Sequence, residues 1–234
     1  MHLGPDAPAP APLARLIQGG RGGEVRLKLY LLLTMMATQS PFDIRNPPTP
    51  QTLARTLALP QTAGPRRIND NLKWLEDNRF IERTKRPGQT ASIQLLDPQG
   101  TSRKMTDPRS SRYYVSIPIE FWSCGWLLDL SPTDIAVLFA LSERLGGRMV
   151  PMYLTQTRRQ SYGISHDTWT RGRHGLEAVG LLNVSRVPQG DDFDYRRLRN
   201  SYWINRERLH MPSNIAEASP IDRLIYASAA KSSA

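Results

Sequence analysis

Apolar positions along the chain fall into a pattern that occurs twice. Between Arg66 and Ile81 (RRINDNLKWLEDNRFI), Ile68, Leu72 and Leu75 recur at helical spacing, and the run ends on the pair Phe80–Ile81. Between Asp167 and Leu182 (DTWTRGRHGLEAVGLL), Trp169, Gly172 and Leu176 do the same and the run ends on Leu181–Leu182. Ile68, Leu75, Glu76, Phe80 and Ile81 each stand 101 positions before Trp169, Leu176, Glu177, Leu181 and Leu182. Each copy therefore predicts a helix with an apolar inner face that runs into a strand. A basic stretch, a glycine-containing turn and a second strand follow. An internal repeat of this length constrains the architecture before any single residue does.

The flanking pattern completes two similar sets of elements. In the first, Val25, Leu29, Leu32, Leu33 and Met36 predict a helix over 24–38, and residues 42–46 suggest a short edge strand. Thr49 and Pro50 are a helix N-cap and first position. Pro65 then opens the repeat helix, and a hairpin follows from Phe80–Arg83 to Ala91–Leu96 through Lys85–Gly88. In the second, Tyr113–Ile117 looks strand-like, Ser131–Pro132 caps a helix to Leu145, and Met149–Leu154 reads as an edge strand. Thr155 and Ser165 cap two more helices, and a hairpin spans Leu182–Val187 and Tyr195–Asn205. The expected fold is mainly α with small β-hairpins, an α+β protein. Its parts are a disordered arm (1–22), a first domain (23–97), a basic linker (98–112), a second domain (113–210) and a tail with a short helix (211–234). The Pro-, Ala- and Gly-rich arm offers little to pack. The tail helix, with Leu224 and Ile225 as anchors, is expected to dock on its own domain, with a homodimer contact as the alternative.

Charge changes the picture. Thirty-one Lys and Arg against 21 Asp and Glu give +10 over 234 residues, which points to a polyanionic partner. Residues 1–112 hold 17 basic and 9 acidic residues, and residues 113–234 hold 14 and 12, so the first half carries most of the excess. Arginine outnumbers lysine 26 to 5. Guanidinium forks suit phosphate and guanine, but a GC-rich genome gives the same bias. No apolar run reaches the length of a membrane span, because Arg26 and Lys28 interrupt Val25–Met36. No signal-peptide core is apparent, so a cytoplasmic protein is expected.

On the outer side of the first repeat helix, Arg66, Asn69, Asp70 and Lys73 are placed to reach base edges in a major groove, and Arg67 to reach phosphate. The backbone N–H groups around Gly64 and Pro65 are a further phosphate candidate. Arg83, Lys85 and Arg86 make the first hairpin a basic finger. In the second copy Thr168, Thr170, Arg171 and His174 are the outward residues, and Gly172 facing inward implies close approach of another helix. Arg197 and Arg199 are further candidates on the second hairpin, with Arg186 and Arg196 beside them. The tip of that hairpin carries Asp191, Asp192 and Asp194, which a phosphate backbone would repel; it could point away from DNA or towards a protein. That trio lacks further ligands at metal-binding spacing and is read as a turn.

Catalysis finds little support. His2, His166, His174 and His210 share no metal-binding spacing, and Cys124 is the only cysteine, so no metal or cofactor is expected. The GGRGG run lacks the lysine and hydroxyl of a phosphate-binding loop. Tyr113–Tyr114 alone keeps a strand-transfer tyrosine open.

Both copies resemble winged helix-turn-helix domains of bacterial DNA-binding proteins. The segment YYVSIPIEFW…LDLSPTDIAVLFALSERL is similar to the opening of replication-initiator domains from plasmids of Gram-positive bacteria, through Tyr114, Ile117, Pro118, Leu130, Ser131 and Ala136. It departs from that pattern at Asp134, where alanine is common. The resemblance implies two tandem winged-helix domains that bind double-stranded DNA without catalysis, as a replication initiator of a plasmid or mobile element working with the replication machinery. A transcription regulator on an operator is the alternative. A third reading leaves only the first domain on DNA and uses the second to dock a protein.

Overall fold

The computed structural model describes residues 11–18, 21–107, 109, 114–146, 148, 150–188 and 198–214. Several sequence expectations lie outside these residues: the first ten positions, the second hairpin tip with Asp191, Asp192, Asp194, Arg196 and Arg197, and the tail with Leu224 and Ile225. The chain is a mixed α+β protein that divides into two compact units. One is Met1–Tyr114 with Thr157–Ser165, and the other is Val115–Gln156 with His166–Ala234. No helix among the described residues is long and apolar enough to cross a membrane.

In the first unit, α1 (Pro12–Ile17) and α2 (Arg21–Met36) precede β1 (Asp43–Ile44), α3 (Pro50–Thr56), α4 (Gly64–Asp77), β2 (Ile81–Arg86) and β3 (Gln89–Leu95). The α1 helix corrects the reading of residues 1–22 as an arm with nothing to pack. Pro12 opens it, and Ala14 and Leu16 are buried. The apolar residues Leu13, Leu16 and Ile17 were hidden in a composition dominated by Pro, Ala and Gly. On α2 burial extends beyond the expected face, because Leu27, Tyr30 and Leu31 are buried along with Leu29 and Leu33. Thr49 caps α3 as its sequence suggests, its hydroxyl accepting from the Thr52 N–H at 3.2 Å. Ile68, Leu72 and Leu75 of α4 face the core with Leu53 and Ala54 of α3. Gly64 permits that packing, since a Cβ there would lie 2.9 Å from Ala54 Cβ. The three strands form an antiparallel sheet in the order β1-β3-β2, with Ile81 opposite Leu95 and Ile44 opposite Ile93.

The supposed linker is partly folded. Asp97 accepts from Gln99 N–H and the Thr101 hydroxyl, and Met105 N–H returns to Leu95 O at 3.0 Å. The polar residues of this stretch satisfy one another, so it needs no apolar periodicity to be ordered.

In the second unit Tyr114–Pro118 is not a strand, a correction to the strand-like reading. Two single-turn helices follow, α5 (Glu120–Ser123) and α6 (Trp126–Asp129), then α7 (Pro132–Leu145) and β4 (Met152–Tyr153). Asp134, the departure noted above, closes a reciprocal capping box with Ser131 at the start of α7. The helix α8 (Gln156–Ser161) groups with the first unit from Thr157 onward, and the second unit resumes with α9 (His166–Ala178), β5 (Leu182–Pro188) and β6 (Leu198–Ile204). The sheet order is β4-β6-β5, with Leu182 opposite Ile204.

Both halves thus repeat one sequence of elements, helix–strand–helix–helix–hairpin, and one sheet order in which the last strand is central. They differ at the middle helix. α3 buries Leu53 and Ala54, whereas α8 (QTRRQS) buries no side chain. In the second unit α9 is seated directly on α7 instead. A Cβ at Gly172 would stand 2.7 Å from Thr133 O and 2.7 Å from Val137 Cγ2. The close approach inferred from an inward glycine is therefore real. Two effects compete at this position. Alanine gains about 1 kcal/mol of helix propensity over glycine, but overpacking against a backbone carbonyl costs about 1–3 kcal/mol. We expect Gly172→Ala to lower stability in urea unfolding followed by tryptophan fluorescence; a more stable variant would refute the close seat.

Candidate nucleic-acid interface

On α4 the outward row is as the periodicity places it. Arg66, Asn69, Asp70 and Lys73 are exposed and Arg67 is half-buried, on the side away from Ile68, Leu72 and Leu75. Arg66 and Asp70 form only a loose pair at 3.9 Å, with side chains 89% and 71% exposed. Such a pair adds little stability and leaves both groups available. The N–H of Gly64 is not available, contrary to expectation. It donates to Pro60 O at 2.7 Å, because the preceding turn runs straight into the helix.

Two arginines that the sequence did not single out hold α4 in place. Arg26 of α2 lies over the Trp74 ring at 3.6 Å and donates to Gln18 O, at the end of α1, at 2.6 Å. Burial lowers the pKa of this guanidinium, and its Nε is enclosed without a partner. Arg15 of α1 lies 4.6 Å from the Phe80 ring centroid and donates to Asn78 O, at the end of α4, at 2.6 Å. Between them Trp74 and Phe80 stack with centroids 5.9 Å apart. A sequence signal for Arg26 did exist: a cation interrupting an apolar helix must either snorkel or find a partner.

The first hairpin is not the free basic finger that was expected. Arg83 Nε and Nη2 donate to Glu76 Oε2 at 2.9 and 2.6 Å, and its backbone N–H donates to Glu76 Oε1 at 3.2 Å. Arg83 is therefore a brace between α4 and β2, a role that the composition of the hairpin could not reveal. Lys85 stays exposed beyond it, and the Arg86 side chain lies outside the described residues.

On α9 Arg171 and His174 are exposed, while Thr168 and Thr170 are half-buried. Arg173, passed over in the sequence, pairs with Glu177 at 3.5 Å and donates to His174 Nε2. Glu177 thus has a partner on its own helix, whereas its repeat mate Glu76 reaches into the hairpin. Position 184, which matches Arg83, is a valine. Arg199 does not join the α9 row. Its guanidinium lies over the Tyr153 ring at 3.3 Å, on the sheet face opposite to that of Tyr202, whose ring meets Trp169 in the core. Arg186 is exposed.

The structure therefore gathers four polar residues on the open face of α4 and a smaller pair on α9. It removes Arg83 and Arg199 to bracing positions. Comparison of the chain with protein-family models, curated proteins and solved structures gave no match.

The arginines should separate by role. Arg15→Ala is expected to cost about 1–2 kcal/mol in urea unfolding, from loss of a partly buried cation–π contact and a hydrogen bond to a helix end. Arg66→Ala should stay within about 0.5 kcal/mol of the parent. Equal losses in the two would contradict the division.

Proposed function

We propose that this protein binds double-stranded DNA with sequence preference, through two tandem winged helix-turn-helix units, in a binding rather than a catalytic role. The observation that carries the proposal is the repeated order α2-β1-α3-α4-β2-β3 and α7-β4-α8-α9-β5-β6 with the same sheet order. In each set the last helix before the hairpin presents an exposed polar row. A rigid helix with an open row of Arg, Asn, Asp and Lys offers the donors and acceptors that major-groove base edges require. The net charge of +10, concentrated in the first half, supplies non-specific attraction to phosphate.

The two units are unequal partners in this reading. Row chemistry, charge and the packed pair α3–α4 favour the first unit as the main reader. The second unit has a thinner row, and the middle helix of its set, α8, groups with the first unit from Thr157 onward and contains no buried residue. That contrast favours, as a second reading, a second unit that docks a protein. The resemblance of Tyr114–Leu145 to plasmid initiators makes replication initiation at origin repeats in the cytoplasm our leading biological assignment. Operator binding by a transcription regulator uses the same chemistry, and the position of the target sequence separates the two.

Selection of bound fragments from a random duplex library at about 0.15 M salt tests the proposal. A motif spanning adjacent major grooves, about 10 base pairs apart, is the expected result. On that motif Arg66→Ala should weaken binding by roughly 1–3 kcal/mol and leave binding to random DNA nearly unchanged. Equal loss on both would remove Arg66 from base reading. Arg171→Ala should weaken binding if α9 lies on DNA; unchanged affinity selects the docking reading.

A further inference from the structure

The second unit contains a cleft that the DNA-binding reading does not use. Its volume is about 200 Å³, and its walls are Val115 and Ile117 from the irregular entry segment, Phe121 of α5, Leu138 and Phe139 of α7, and Ile204 at the end of β6. This is smaller than the usual range for drug-sized ligands, so it suits a compact molecule.

Four polar residues meet this apolar lining: Arg206, Ser142, His210 and Ser116. They are not equally committed. His210 Nδ1 lies 3.3 Å from Glu120 Oε1, so the acidic group on α5 already has a partner. Arg208, two residues beyond Arg206, is wholly engaged. Its guanidinium lies over the Trp126 ring at 4.5 Å and donates to Pro212 O and Ser213 O at 2.8 and 3.1 Å. Arg206 is half-buried at the cleft and has no side-chain hydrogen bond or ion pair among the described residues. A guanidinium drawn partly out of water without a partner is costly. Its planar fork matches the two oxygens of a carboxylate.

We propose that this cleft is a binding site for a small monocarboxylate with an aromatic or branched aliphatic body, its carboxylate on Arg206 and its apolar part against Phe121, Leu138 and Phe139. The Ser142 hydroxyl offers the carboxylate a second donor. The site stands independently of the proposed function. On α7, at about 100° per residue, Leu138, Phe139 and Ser142 lie roughly opposite Thr133 and Val137, which seat α9. The ligand and α9 therefore occupy different sides of one helix and do not compete.

Calorimetric titration of the full chain with benzoate, phenylacetate, isovalerate and 4-methylvalerate, each to about 10 mM, tests the site. At least one acid is expected to bind, with acetate and the matching neutral alcohol at least about tenfold weaker. Arg206→Gln, with an unchanged circular dichroism spectrum, should weaken that acid by about tenfold or more. Val115→Trp, which fills the cleft from its rim, should abolish binding. Failure of all four acids to bind overturns the proposal. So does binding that Arg206→Gln leaves unchanged, or that the neutral alcohol reproduces.

Discussion

The placement of α4 depends on one motif used twice: an arginine stacked on an aromatic ring while donating to the carbonyl at a helix end. Arg26 covers Trp74 and donates to Gln18 O, where α1 stops, and Arg15 covers Phe80 and donates to Asn78 O, where α4 stops. Helix C-termini present unpaired carbonyls and the negative end of the backbone dipole, so a cation there is favoured twice. The ring beneath adds a cation–π contact worth about 0.5–2 kcal/mol once water is excluded. Because Trp74 and Phe80 also stack on each other, the two arginines lock α1, α2 and α4 into one body. The outward row of Arg66, Asn69, Asp70 and Lys73 takes its direction from that lock.

The second unit applies the same chemistry to a different task. Arg208 lies over Trp126 and donates to Pro212 O and Ser213 O, and the Trp126 indole N–H donates to Leu209 O and Met211 O at 3.0 Å. These bonds fasten the segment after β6 onto α6. The helix α9 is held by something simpler. Gly172 removes a side chain, so α9 approaches the backbone of α7, and Trp169 fills the remaining space beside Tyr202. One unit orients its exposed helix by charge on aromatic rings, and the other does so by the absence of a side chain. A repeat that keeps its spacing in sequence has diverged in what secures it.

The inner faces were legible in sequence because helical periodicity is a local property. Ile68, Leu72 and Leu75, and likewise Trp169 and Leu176, are buried where the spacing puts them. Capping residues were equally readable at Thr49 and Ser131, since a cap bonds within three residues of itself. Gly172 also spoke for itself, as a glycine on an apolar helix face has few other uses. Residues with long side chains were misjudged. Arg83 and Arg199 counted as free cations, yet Glu76 and Tyr153 hold them, and neither partner is a close sequence neighbour. The α1 helix was missed because its three apolar residues make sense only against the rest of the first unit.

The sequence by itself determined the repeat, the α+β composition, the inward faces of α4 and α9 and the excess of basic charge. All of these are written in spacing and counts over a few turns of chain. Only the tertiary structure decided which arginines remain open to a partner and which brace the fold. A guanidinium reaches far enough that its partner can come from any element nearby. Arg15 and Arg83 look no different in sequence from Arg66. What separates them is a ring or a carbonyl brought alongside by the fold.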